Sequence, residues 1–209
     1  MPFYQKRGAI PNTRHIQFRD NSGNLYWEEL ISREGFSHMY SNVYHTHPPT
    51  GVEAVGEMKK INLLTADQTH RHHHIRTANM NSNGDAISSR IPLFFNSDLV
   101  ISKAHVTESM STLYRNGNAD EVLFIHTGSG TFKSNFGNMD LTPGDYLVIP
   151  RGIIWQIDVK ESIRILITES SGPIETPTLY RNKFGQLLEH SPFAERDFRT
   201  PEFAGPVDD

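Results

Sequence analysis

The chain contains no cysteine. Disulfides and thiolate metal sites are thereby excluded, and their absence is consistent with a reducing compartment. No apolar run approaches the roughly 20 residues that a membrane helix needs. The opening stretch, Met1 to Gly8, lacks the apolar core of a secretory signal. These absences lead to the expectation of a soluble, cytoplasmic protein. A large excess of either charge is lacking too: the net charge is -4 and the basic residues are dispersed, so neither nucleic acid nor membrane is expected as a partner. There is no nucleophile elbow, no phosphate-cradling glycine loop and no dinucleotide fingerprint.

What is present is a rhythm of glycine and proline turns. The 209 residues permit one large domain or two small ones, with a core that needs no covalent staple. Between Tyr114 and Ile157 the rhythm is densest. Glu121 to His126 reads as a strand ending at a Gly128-Ser-Gly130 turn, and a second strand from Gly130 to Phe136 meets a turn at Gly137-Asn138. A Pro143-Gly144-Asp145 turn, the apolar run Tyr146 to Ile149 and a Pro150-Arg-Gly152 corner follow. Short strands at such spacing predict a mainly β protein, an antiparallel sandwich or barrel. Ser162 to Glu169 alternates, with Ile163, Ile165 and Ile167 on one face, and Ile91 to Phe95 and Leu99 to Val106 are further strands.

The turn spacing resembles that of the cupins, a family of jelly-roll barrels. Their first motif places a glycine after a glutamate and six intervening residues, as Glu121 and Gly128 do; Gly144, Pro150 and Gly152 match the second. In a metal-binding cupin, two histidines precede the glutamate and a third lies in the second motif. Here those positions hold Tyr114 and Asn116 (or, one residue along, Arg115 and Gly117) and then Trp155. A lone carboxylate holds iron or zinc poorly. His126 does not compensate, because strand alternation puts it on the face opposite Glu121, Leu123 and Ile125. The expectation is a degenerate cupin pocket of Tyr114, Asn116, Glu121 and Trp155, with no metal ligand, no catalytic residue and Trp155 filling the barrel.

Eleven histidines need an explanation. His45 and His47 would share a face if both lay on a strand, which is ligand-like; the plainer reading is a surface strand end stopped by Pro48 and Pro49. In the run from His70 to His74, strand alternation would point His70, His72 and His74 one way. Arg71 and Arg76 alongside would repel a dication, so a polar strand or interface ridge is preferred over a metal patch. Residues 1–90 are expected to wrap the barrel as strands and loops, with 78–90 a loop by composition. The barrel proper is expected over 91–178 and a polar tail or linker over 179–209.

Taken in order, several stretches resemble the N-terminal half of the homogentisate 1,2-dioxygenases. They are Met1-Pro-Phe-Tyr4, Arg14 to Phe18, Tyr44 to Thr50, His72 to Thr77, Asn118 to His126, Gly144 to Gly152 and Tyr180 to Phe193. The resemblance implies a cytoplasmic, oligomeric family of Fe(II) ring-cleaving enzymes of tyrosine and phenylalanine breakdown, converting homogentisate and O2 to maleylacetoacetate. It implies two cupin-like halves, with the iron ligands in the second. No cofactor is therefore expected in this chain, and its expected partner is a catalytic cupin half or further copies of itself. A free-standing cupin that binds a small molecule without metal is the alternative.

Overall fold

The computed structural model describes residues 18–32, 35–37, 40–58, 71–80 and 82–202. The stretches Met1 to Tyr4 and Arg14 to Gln17, as well as His70, lie outside the described residues.

An N-terminal hairpin pairs β1 (Trp27–Ser32) with β2 (Tyr40–His45) in antiparallel register. The stretch Leu25 to Ile31, compatible with a strand or a helical turn in sequence, is thus mostly strand. The remaining strands form one eight-stranded sheet. They are β3 (Asn83–Gly84), β4 (Ile91–Phe95), β5 (Leu99–Val106), β6 (Tyr114–Arg115), β7 (Asp120–Ser134), β8 (Gly137–Leu141), β9 (Tyr146–Ile149) and β10 (Ile154–Ser170).

Two long strands organise the sheet. β7 and β10 pair over nearly their whole lengths, and each bends so that its two halves serve different neighbours. The first half of β7 carries β9 and the second half carries β8. The second half of β10 carries β5, and its first residues carry β6. This is the mainly β, cupin-like barrel expected from the sequence.

The bend corrects one expectation. Gly128-Ser-Gly130 is not a turn between two strands but an irregularity inside β7, where the pairing with β10 shifts register. Gly128 sits at φ +84°, and a Cβ there would lie 2.0 Å from the Ser162 carbonyl oxygen. Glycine is therefore required so that β7 can fold back against β10. The hairpin turn after β7 is Asn135-Phe136, two residues earlier than expected, and Gly137 already belongs to β8.

Alternation then sorts the side chains. Leu123, Ile125, Ile157, Ile163, Ile165 and Ile167 are buried, together with Phe132, Leu147, Ile149 and Trp155. Residues 82–90 are more than the loop that their composition suggested. They form β3 and a turn in which the Asp85 carboxylate accepts the N–H groups of Ile87 and Ser88 and the Ser88 hydroxyl. Ala86 and Ser89 are fully buried. Asn138 and Glu202 exchange both backbone hydrogen bonds, and Arg199 pairs with Asp145 at 2.6 Å, so residues up to 202 are tied to the barrel wall.

Candidate functional site

β7 and β10 place two carboxylates opposite one another. Glu121 and Glu169 are direct antiparallel partners, both on the inward parity of their strands. Like charges so placed destabilise a sheet unless a cation lies between them. Arg90, at the end of the Asp85 turn, supplies it. Its Nη1 donates to Glu121 Oε1 at 2.6 Å and lies 3.4 Å from Glu169 Oε1. Its Nε donates to the Ala86 carbonyl at 2.9 Å, which fixes the side chain against its own turn. The Glu121 side chain is 1% exposed and that of Arg90 11%.

The degenerate ligand positions surround this ion pair. The Arg90 guanidinium stacks over the Tyr114 ring, 5.5 Å from its centroid. Tyr114 meets Trp155 edge to face at 5.3 Å. Asn116 donates to Glu169 Oε1 at 3.1 Å. The two registers left open by the sequence are thereby separated. Tyr114 and Asn116 face the cluster, whereas Arg115 points outward to Glu29, donating at 2.9 and 3.0 Å. Trp155 is completely enclosed, packed against Tyr114 and Phe132.

Burial pushes the Glu121 carboxyl above the ordinary carboxylate range, against the opposing pull of Arg90. Burial, reinforced by Glu121, likewise pushes the Tyr114 phenol up. One oxygen of Glu121, one nitrogen of Arg90 and the Trp155 indole nitrogen are buried without a hydrogen-bond partner. The four residues proposed from the sequence are thus brought together, around an arginine that the sequence reading placed in a loop. Glu169 was missed as well, although it continues the parity of Ile163, Ile165 and Ile167. An iron(II) site does not fit here. The carboxylate in the cupin ligand position is already held by a guanidinium, and among the described residues no imidazole joins it in a group that could hold a metal.

The histidine candidates are dispersed. His45 ends β2 but is not a surface residue: it is 2% exposed and its Nε2 lies 2.9 Å from Glu29 Oε2. His47 lies beyond the strand and is exposed. His72, His73 and His74 are exposed and lie on an irregular stretch, so strand alternation does not apply to them. Among the described residues no three His, Asp or Glu are grouped as a metal site.

A groove of about 610 Å³ lies elsewhere, between β8 and β9, which both pair with β7 but not with each other. Phe132, Met139, Leu147 and Ile149 line it, and Phe198 and Arg199 of the tail form part of its rim. The outward face of β9, β7, β10, β5 and β4 is also unusual. Paired across it are Tyr146, Phe124 and Leu166 in one row, and Val148, Val122, Thr168, Ile101 and Phe94 in the next. Tyr146 is 71% exposed. Among the described residues Lys103 and Arg164 lie on these strands with the same parity; Asp120 shares it too but is buried, accepting the N–H groups of Arg151 and Ile174.

Residues 57–202 match the family described as homogentisate 1,2-dioxygenase N-terminal. A Saccharolobus solfataricus protein named as an inferred dioxygenase is 39% identical over 203 residues, 96% of this chain and 52% of its own. The homogentisate 1,2-dioxygenase of Legionella pneumophila is 35% identical over 78 residues, 36% of this chain and 19% of its own. This chain therefore spans about half the length of the first relative. A cupin protein of Bacteroides fragilis aligns structurally with a TM-score of 0.40 at 20% identity, covering 53% of this chain and 94% of that one. Its likeness adds nothing to the strand pairing above. With seven-tenths of its length matched, the chain belongs to the homogentisate 1,2-dioxygenase N-terminal family.

Proposed function

We propose that this chain is the non-metal-binding half of a homogentisate 1,2-dioxygenase-like protein, with a structural and assembly role and no ring-cleaving activity of its own. The observation that carries this reading is Arg90 bonded to Glu121 where a metal-binding cupin would hold its ion. On this reading the iron, and the cleavage of homogentisate in tyrosine and phenylalanine breakdown, belong to a second cupin half, and the assembly works as an oligomer in the cytoplasm. The outward sheet face is the surface we assign to that half. It is apolar over two rows, and its carboxylate Asp120 is buried and hydrogen-bonded while Lys103 and Arg164 lie on the same parity, so it suits a partner with an apolar centre and an acidic rim.

Oxygen uptake with homogentisate and Fe(II), together with metal analysis of the purified chain, tests this. The chain alone is expected to show neither stoichiometric iron nor uptake. Uptake by the chain alone that is lost on Glu121→Ala would overturn the reading.

A further inference from the structure

The loss of histidines makes this barrel a poor site for iron, but it does not by itself keep other metals out. Two carboxylates facing each other across a strand pair are a fair start for a hard, oxygen-preferring dication, with water completing its shell. Glu121 and Glu169 are such a pair, and one oxygen of Glu121 has no partner. We propose that Arg90 is what keeps divalent cations out. Its guanidinium is the resident cation of a masked oxygen-ligand site formed by Glu121 and Glu169.

Three features make this a built arrangement. The Asp85 carboxylate, bonded to Ile87 N, Ser88 N and the Ser88 hydroxyl, shapes the turn that delivers Arg90. The bond from Arg90 Nε to the Ala86 carbonyl fixes where the guanidinium lands. The Tyr114 ring stacks against it. A guanidinium keeps its charge at every physiological pH and is tethered beside the two carboxylates, so any ion from solution has to displace it. The repulsion between the two carboxylates is thereby reduced without a metal. His126, exposed on the opposite face, takes no part.

This inference rests on the reading of the barrel as metal-free, and the experiment separates the two. Mn(II) binding is followed by electron paramagnetic resonance on the full chain, on Arg90→Met, on Arg90→Lys and on Arg90→Met combined with Glu121→Gln. The unaltered chain and Arg90→Lys are expected to leave manganese free. Arg90→Met is expected to bind one equivalent at least about tenfold more tightly, and adding Glu121→Gln is expected to abolish that. If Arg90→Met is unstable, millimolar manganese should raise its melting temperature, since a ligand of the folded state stabilises by mass action.

A folded Arg90→Met chain that leaves manganese free, or an unstable one that manganese does not stabilise, would refute the role of Arg90 alone. Binding that survives Glu121→Gln would refute the assigned ligands. Tight binding by the unaltered chain would refute the metal-free reading itself.

Discussion

Arg90 Nη1 lies 2.6 Å from Glu121 Oε1, and the two residues are separated by 31 positions in the chain. That contact reconciles an otherwise unfavourable strand pair. Glu121 and Glu169 face each other inside the barrel wall, and two unpaired carboxylates there would repel at close range. Replacing a buried partner is costly because the remaining charge is left uncompensated. The ion pair and the Tyr114 and Trp155 rings therefore form one contiguous buried cluster.

Trp155→Ala should destabilise the chain by about 3–5 kcal/mol, the usual cost of emptying a large aromatic core site. Trp155 is fully buried and touches both Tyr114 and Phe132. Trp155→Phe should cost less, since most of the volume is kept. Urea unfolding of the three proteins gives the comparison, and an unchanged midpoint for the alanine variant would contradict it.

Gly128→Ala should be as damaging as a core deletion, on the order of 3 kcal/mol. The added methyl would meet the Ser162 carbonyl oxygen at 2.0 Å, and the backbone there has φ +84°. By contrast Gly23→Ala, also at positive φ but with open space around the new Cβ, should cost only the backbone strain. Equal melting temperatures for the two variants would show that the bend of β7 against β10 does not depend on glycine.

Arg115→Met should loosen the N-terminal hairpin from the barrel. Arg115 holds both oxygens of Glu29, which also takes the His45 ring. Charged hydrogen bonds of this kind contribute about 2 kcal/mol. Limited proteolysis should cut the variant faster between β1 and β2 while the barrel fragment survives. Arg115→Lys should recover part of the protection, and cleavage at the same rate in all three chains would remove the docking role.

Acid should release the tail. Burial works to raise the Asp145 carboxyl, yet the N–H and hydroxyl of Thr142 and the Arg199 guanidinium hold it below the ordinary carboxylate range. A depressed value in the folded state contributes stability above the unfolded carboxylate pKa, and that stability is lost as pH falls through the folded one. Hydrogen exchange at the Glu202 amide, which bonds to Asn138, reports the release. Protection should fall below about pH 4 in the unaltered chain and be low at all pH in Asp145→Asn. Identical pH profiles would sever the link between this ion pair and the tail.

The sequence by itself determined the architecture and most of the barrel wall. Turn residues and alternation are local properties, so Ile91–Phe95, Leu99–Val106 and Tyr146–Ile149 were readable as strands within the bounds the structure shows. The inward parity of Glu121 was readable for the same reason, and the family followed from ordered stretches along the chain. Only the tertiary structure decided what Glu121 does. Arg90 comes from a segment whose Asn, Ser and Gly composition describes a loop, and no periodicity in it announces where its guanidinium will land. The continuity of β7 through Gly128 was hidden because a glycine at positive φ marks a turn and a strand bulge alike. The pairing of His45 with Glu29 was hidden because it depends on which strands meet, a long-range relation that local patterning does not carry.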